Sequence, residues 1–334
     1  MSTTQEAAKL NVMIGDYPNT VALTHGKVRS ERVQLNFAEA AVPHDHFKRV
    51  VAGDFDVAEL AIMTFLQAIS WGRPLVALPV VLHGRFQHAQ IAYNAERGTL
   101  TPADLPGKRV GVRTYPQTTP SWVRGILQND YGVDLERVHF LTFTDGHVPE
   151  YRDPPNAKRA PAGKKLLQML LDGDIDAAVL SGDDLKHPKL KSLIPDPAAA
   201  GREWHARYGA LMVNHIVVAK LSLSKSNPDE LREVYHLLKE SRGLSEEPAP
   251  KDGIDKRPIG YSANRRNFEV AADYAWKQRI IAKPLTLNHV RRDDAHIQLT
   301  EMNRDDDRLP RTLPNACGSQ ADVEERARGL RPPR

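Results

Sequence analysis

The sequence predicts an α/β protein of two similar lobes, each a mostly parallel sheet covered by helices. Three observations carry that expectation. A chain of 334 residues exceeds the size at which one hydrophobic core usually keeps growing. Its opening reads β-α-β-α-β, the order that builds a helix-covered parallel sheet. And Gly53-Asp54-Phe55-Asp56-Val57-Ala58 recurs as Gly173-Asp174-Ile175-Asp176-Ala177-Ala178, each copy after an amphipathic helix and before an apolar strand.

The elements follow in order. Leu10, Val12 and Ile14 alternate and stop at Gly15-Asp16-Tyr17-Pro18, a strand running into a turn; Val33, Leu35 and Phe37 alternate likewise. Between Pro43 and Ala52 the apolar residues Phe47, Val50 and Val51 fall at helical spacing, Gly53 supplies a left-handed C-cap, and a short strand runs from Phe55 to Ala61. Glu96-Arg97-Gly98 and Thr101-Pro102 interrupt the pattern, which predicts lobe I over 1–95, lobe II over 96–207 and a return to lobe I over 208–300. In lobe II a strand covers Arg109 to Val112, a helix starts at Pro120 with Thr119 as N-cap, Pro149 to Gly163 is an extended loop, and Leu166, Leu167, Leu170 and Leu171 mark the second repeat's helix. Tyr208 to Ala219 reads as a strand, Asn227-Pro228-Asp229-Glu230 opens a helix with an acidic first turn, and the last helix spans about Asn264 to Ile281. The segment 301–334 is charged, Pro-containing and short of large apolar residues, so a disordered tail is expected there.

Composition excludes several function classes. Hydrophobic residues at 41% and charged residues at 26% give ample core and no case for global disorder. The 46 basic residues against 42 acidic are scattered, so no nucleic-acid partner is implied. No stretch of 18 apolar residues exists, so no membrane span is expected. The single Cys317 excludes an internal disulfide framework or a Cys-rich metal site. The amino terminus has neither the basic nor the apolar region of a secretory signal, and a cytoplasmic location is the expectation. A homo-oligomer is left open.

No P-loop, dinucleotide Gly fingerprint, G-x-S-x-G elbow or H-E-x-x-H occurs, so chemistry must come from dispersed residues converging at strand ends between the lobes. An ordered set of stretches then carries a family resemblance: Gly15-Asp16-Tyr17 with Thr20; Phe55-Asp56-Val57-Ala58-Glu59; Pro79-Val80; Phe86 with His88; Gly107-Lys108-Arg109-Val110-Gly111-Val112; Tyr115 and Thr118; Trp122 to Leu127; Tyr131-Gly132-Val133; His215 with Val217 and Val218; and Gly260 with Asn264-Arg265. Over roughly residues 10 to 290 the chain resembles the 4,5-dihydroxyphthalate decarboxylase family, which implies the two-lobed type 2 periplasmic-binding-protein fold. It departs from the family pattern where His83 stands at a Ser position, Gly84 and Gln87 at two Arg positions with Arg85 shifted by one residue, and Thr114 at a Glu position. Because Arg is the natural bidentate partner of a carboxylate, a second ring carboxylate is bound differently here or is missing.

The reaction so implied is loss of carbon dioxide from a hydroxylated aromatic acid, which needs a proton donor at the ring carbon and a hydrogen-bond partner at the hydroxyl. It needs no organic cofactor. His88 and His215 are the candidate proton-transfer groups, and Asp16 and Glu59 the candidate acceptors or His-orienting carboxylates; the competing reading is a buried His bonded to backbone and carboxylates that cap turns. Tyr17, Arg85, Tyr115, Thr118, Thr119 and Arg124 are the candidate substrate contacts, the last three at a helix start suited to an anion. No metal is expected: His44 and His46 of His44-Asp45-His46 point about 200° apart on a helix. His83 with His88 is the metal alternative. The partner is a small aromatic carboxylate. Two other readings remain on the same scaffold, a non-catalytic solute-binding protein and a chorismate dehydratase-like lyase.

Overall fold

A computed structural model of the chain describes residues 6–39, 42–286 and 289–290. The tail expected to be disordered and Cys317 lie outside the described residues. The first sheet begins with β1 (Ala8–Met13), α1 (Val21–Thr24), β2 (Val33–Phe37), α2 (Phe47–Ala52), β3 (Val57–Ala61), α3 (Ile62–Ser70) and β4 (Leu75–Gly84). The second is built from β5 (Ile91–Asn94), β6 (Arg109–Val112), α4 (Thr118–Asp130), β7 (His139–Thr142), β8 (Ala157–Arg159), α5 (Leu166–Asp172), β9 (Ala177–Val179), β10 (Leu190–Ser192) and α6 (Pro197–Tyr208). The chain then returns to the first sheet with β11 (Val213–Lys220) and closes with α7 (Leu221–Ser226), α8 (Pro228–Gly243) and α9 (Tyr261–Lys277).

The strand orders are β2-β1-β3-β11-β4 and β10-β5-β9-β6-β7-β8. In the first, β1 pairs parallel with β2 and β3, and β11 runs antiparallel between β3 and β4. In the second, β6 pairs parallel with β7 and β9, and β5 runs antiparallel between β9 and β10. Reading β7-β6-β9-β5-β10 against β2-β1-β3-β11-β4 gives the same order and the same directions, with β8 added at one edge.

The hexapeptide repeat occupies the same place in both sheets, and its chemistry explains why. Gly53 at φ 89° and Gly173 at φ 79° cap α2 and α5 in the left-handed region. The second aspartate of each copy then ties its strand to the neighbour. Asp56 Oδ2 accepts from the Asn11 N–H at 2.9 Å, and Asp176 Oδ2 accepts from the Arg109 N–H at 2.8 Å. Their own N–H groups return to the carbonyls of Asn11 and Arg109.

The two sheets are joined by two crossings, 85–90 and 209–212, which are bonded to each other. Arg85 N–H donates to the Met212 carbonyl at 3.1 Å, and the Gln87 side-chain amide donates to Asn214 Oδ1 at 2.7 Å. One buried apolar cluster runs through both lobes by way of Phe65 on α3, Trp122 and Ile126 on α4, and Tyr274 on α9. Trp122 serves this packing, its indole N–H donating to the Val213 carbonyl at 2.8 Å.

Several boundaries differ from the sequence expectations, each for a physical reason. The helix expected from Pro120 begins at Thr118, because Gln117 holds the extended N-cap conformation and its carbonyl takes the Ser121 N–H at 3.0 Å. The strand expected from Tyr208 begins at Val213; Tyr208 ends α6, a helix capped by Asp196 and stopped by Gly209 at φ 59°. Within the expected loop 149–163, residues 157–159 add an edge strand to β7. The last helix covers Tyr261–Lys277, earlier at both ends than expected.

Candidate active site

Glu59 lies on β3, every residue of which is buried, and its carboxylate is fully enclosed. A lone buried carboxylate is costly, and this one is compensated by three donors. His215 Nδ1 and the Tyr17 hydroxyl both donate to Oε1 at 2.5 Å, and the Gly15 N–H donates to Oε2 at 3.0 Å. Burial works to raise the Glu59 carboxyl, but the hydrogen bond and charge of His215, with the bonds from Tyr17 and Gly15, outweigh it and hold the group below its ordinary value. The Tyr17 hydroxyl moves the other way: burial first, then the neighbouring Glu59 charge, pushes it far above its usual value, so it remains a donor.

The topology dictates this meeting. β11 pairs antiparallel with β3 and puts His215 opposite Ala61, and with β4, where His215 stands opposite His83. Gly15 is required by close approach: a Cβ there would stand 2.6 Å from Pro43 Cγ and 3.3 Å from Glu59 Oε2.

Other imidazoles gather around His215. The His83 ring lies 6.2 Å from it, edge-on, and Phe47 on α2 stands edge-on to both His215, at 5.3 Å, and His147, at 5.5 Å. His147 Nδ1 pairs with the Thr64 hydroxyl at 2.9 Å. Burial, followed by the charge of His215 and of Arg85 and Arg257, brings His83 down to about 4. Burial and the charges of Lys48 and Arg113 bring His147 to about 4. Both are therefore neutral near pH 7. A cavity of about 640 Å³ opens beside this group, between α2 and the segment 145–153, with Lys48, Arg73, His147, Tyr151 and Arg152 among its walls. It shares His147 with the imidazole group but does not enclose Glu59 or His215.

The expected site residues thus divide. Tyr17, Glu59 and His215 form one hydrogen-bonded unit with His83 beside it. Asp16 is exposed and turns to α1, accepting from Thr24 Oγ1 at 2.5 Å and pairing with His25 Nε2 at 2.9 Å. His88 is buried at the crossing between the sheets, its ring against Phe86, its Nδ1 without a partner among the described residues, and burial lowers it to about 4. Arg85 is half-buried, with no described partner for its Nε. Thr118 Oγ1 accepts from the Met63 N–H at 3.4 Å, and Thr119 Oγ1 from Asn214 Nδ2 at 3.5 Å, so both hydroxyls join the second lobe to the first. Arg124 is wholly buried: Nε donates to Gln278 Oε1, Nη2 to the Tyr115 carbonyl and Ser121 Oγ, and its guanidinium lies 3.7 Å over the Tyr115 ring. Among the described residues no group of three or more His, Cys, Asp or Glu is arranged to hold a metal ion, and no helix is long and apolar enough to cross a membrane. His44, His147 and Arg113 were not singled out as acid–base or substrate residues by their sequence setting. His44 stood out only in the metal-like His-Asp-His triplet, and Arg113 had the one usable signal, a place just beyond the carboxyl end of a strand.

Comparison with known proteins agrees with this architecture. No family model matches the chain. Two curated 4,5-dihydroxyphthalate decarboxylases do: that of Comamonas testosteroni is 28% identical over 238 residues, 66% of this chain and 70% of its own. That of Pseudomonas putida is 29% identical over 211 residues, 59% of this chain and 81% of its own. Among solved structures, the periplasmic aliphatic sulphonate binding protein SsuA from Escherichia coli matches with a TM-score of 0.55 at 14% identity, over 87% of this chain and 98% of its own. The alkanesulfonate-binding protein SsuA from Xanthomonas axonopodis pv. citri, bound to MOPS, matches with 0.53 at 14% identity, over 84% and 96%. By sequence the chain is similar to two 4,5-dihydroxyphthalate decarboxylases, and it is built on the two-lobed type 2 periplasmic-binding-protein-like fold.

Proposed function

We propose that the chain is a carboxy-lyase acting on a hydroxylated aromatic acid held between the two lobes, the reference reaction being 4,5-dihydroxyphthalate to protocatechuate and carbon dioxide. The observation that carries this reading is the Tyr17–Glu59–His215 unit, in a chain whose relatives bear that activity in their names. With Nδ1 committed to Glu59, His215 keeps Nε2, which no described residue hydrogen-bonds, for the substrate. As the imidazolium, it gives its Nε2 proton to the ring carbon that bears the carboxylate. The bond to the carboxylate breaks, its electron pair restores the aromatic ring, carbon dioxide leaves, and the neutral imidazole is reprotonated from solvent. Glu59 fixes the ring orientation and stabilises the imidazolium, as a carboxylate does for a catalytic histidine elsewhere. Neutral His83, beside His215, accepts the hydrogen of the ring hydroxyl and assists electron release toward the protonated carbon. Lobe closure excludes water, which favours loss of charge from the departing carboxylate.

Thr119, half-buried at the start of α4, is assigned to the substrate wall, whereas Tyr115, its ring under Arg124, and Thr118, bonded to the Met63 N–H, support that wall from behind. Asp16 and His88 are assigned supporting roles at α1 and at the crossing. The test is direct: purified protein, with and without chelator, is incubated with 4,5-dihydroxyphthalate and a panel of hydroxylated mono- and dicarboxylated arenes, and released carbon dioxide is measured. Release from at least one hydroxylated arene is expected. Ligand-induced thermal stabilisation with every arene recovered unchanged would overturn the reading in favour of a solute-binding protein.

A further inference from the structure

We infer that Arg113, on the second lobe, is a specificity-determining residue that holds a carboxylate retained on the substrate ring while a second carboxylate leaves beside His215. The inference rests on the decarboxylase reading and adds the residue that holds the carboxylate left on the ring.

The register of the two sheets leads to Arg113. β1 pairs Val12 with Val57, and β6 pairs Val110 with Ala177, and Val57 and Ala177 each follow the repeat's second aspartate. Three residues beyond Val12 is Gly15, whose N–H meets Glu59; three residues beyond Val110 is Arg113. The second lobe therefore presents a guanidinium where the first presents the backbone of its carboxylate site. The main chain there is fixed, because the Arg113 carbonyl accepts from the N–H groups of Phe143 and Thr144 at 2.9 Å and from Thr144 Oγ1 at 3.2 Å. Its side chain is exposed and makes no hydrogen bond or ion pair among the described residues. Its charge is felt by His44 and His147, and both of these also feel His215.

The two arginines expected in the site, Arg124 and Arg85, suit the role less well. Arg124 is already engaged by Gln278, Tyr115 and Ser121. Arg85, at the crossing, is near enough to His83 for its charge to lower that ring's proton affinity, and His83 neighbours His215, where the carboxylate departs. A guanidinium bound to the departing carboxylate would stabilise the ground state more than the transition state, in which that charge disappears. One bound to the retained carboxylate keeps its partner throughout the reaction, so most of its binding energy carries over into the transition state while it orients the ring. The ring carbon gains a proton, one carboxylate leaves as carbon dioxide, and the other stays ionised on Arg113.

Two measurements test this. Calorimetric binding of 3,4-dihydroxybenzoate and catechol, which differ by one carboxylate, needs no turnover; steady-state carbon dioxide release from 4,5-dihydroxyphthalate gives KM and kcat. Wild type is expected to bind 3,4-dihydroxybenzoate at least ten-fold tighter than catechol. Arg113→Gln should erase that preference and raise KM at least ten-fold with kcat little changed, and Arg113→Lys should restore part of both. Loss of the preference in Arg113→Gln, in a protein that releases no carbon dioxide from any arene, would leave the anchor standing and remove the decarboxylase reading. Normal carbon dioxide release with an unchanged preference and KM in Arg113→Gln, or no preference in wild type, would remove the anchor.

Discussion

The two lobes share strand order, strand direction and a hexapeptide that does the same job in each, yet matched positions carry different chemistry. Three residues beyond Asp56 stands Glu59, buried and ionised; three beyond Asp176 stands Val179, buried and apolar. Gly15 matches Arg113, and Tyr17, hydrogen-bonded to Glu59, matches Tyr115, whose ring lies under Arg124. What holds the sheets together is common to both, and what differs sits just past the carboxyl ends of the strands. A carboxylate can occupy the first lobe because β11 brings His215 within hydrogen-bond reach of it; the strand matching β11 in the second lobe is β5, where Ile91 opposite Val179 matches Val217 opposite Glu59 and the position matching His215 holds Ala89. The frame is therefore indifferent to chemistry, and the residue arriving on the antiparallel strand decides where a buried charge is tolerated.

The largest effect should come from removing that difference. His215→Ala is expected to lower carbon dioxide release by about 10² to 10⁴, the range of a general acid. Glu59→Gln keeps the shape but replaces the acceptor-only oxygens with an amide, and should lower kcat while leaving the thermal midpoint within a few degrees. Val179→Glu, the converse change, buries a carboxylate with no imidazole opposite and should destabilise by about 3 kcal/mol in denaturant unfolding. A Val179→Glu protein as stable as wild type would refute the claim that the partner strand sets the tolerance. His88→Ala, at the crossing, should cost less activity than His215→Ala.

How much of this could be read from the sequence depended on whether the signal was local. The alternating strands, the Gly53 and Gly173 caps and the repeat are local, and each lies where expected. Helix α3 carries its polar residues Thr64, Gln67 and Ser70 at three-residue spacing, but all nine of its residues are buried and its apolar start follows directly on the apolar strand before it, so the two merge in the sequence. Tyr208 continues an apolar run in sequence but ends a helix, because Asp196 and Gly209 bracket the segment as caps. Glu59, His215 and Tyr17 were legible through strand-end position and family resemblance. His147 was not: it lies in a loop whose approach to Phe47 and Thr64 exists only in the folded chain. The pairing of His215 with Glu59, 156 residues apart, also had no local signature.

Acid should separate the lobes less than mutation does. His83 from the first lobe and His147 from the second are both lowered to about 4, chiefly by burial. The folded state therefore binds fewer protons than the unfolded chain between about pH 6.5 and 4. Their contribution is fully present above about pH 6.5, is lost as pH falls through that window, and levels off below about 4. Each should account for on the order of 2 kcal/mol. His83→Gln and His147→Gln should each flatten the acid limb of a plot of stability against pH. An acid limb unchanged in both variants would show that these rings are not held neutral by burial.

The smallest effects test whether the repeat carries equal weight in both copies. Asp56 and Asp176 each accept a backbone N–H from the neighbouring strand, and each faces a cation, Lys220 Nζ at 2.9 Å and Arg109 Nε at 3.3 Å. The cations differ in origin. Arg109 belongs to the strand that Asp176 already binds, whereas Lys220 ends β11, the strand that returns from beyond the second lobe. Alanine at either position should cost about 1 kcal/mol through the unsatisfied backbone donor. Asp→Asn keeps the acceptor and removes the charge, so the asparagine variants isolate the ion pairs, worth at most about 1 kcal/mol at partly exposed sites. If the returning strand depends on its lysine, Asp56→Asn should lower the urea midpoint more than Asp176→Asn does. Equal shifts would mean that β11 is held by its two antiparallel ladders alone, and that the charged half of the repeat is the same device twice.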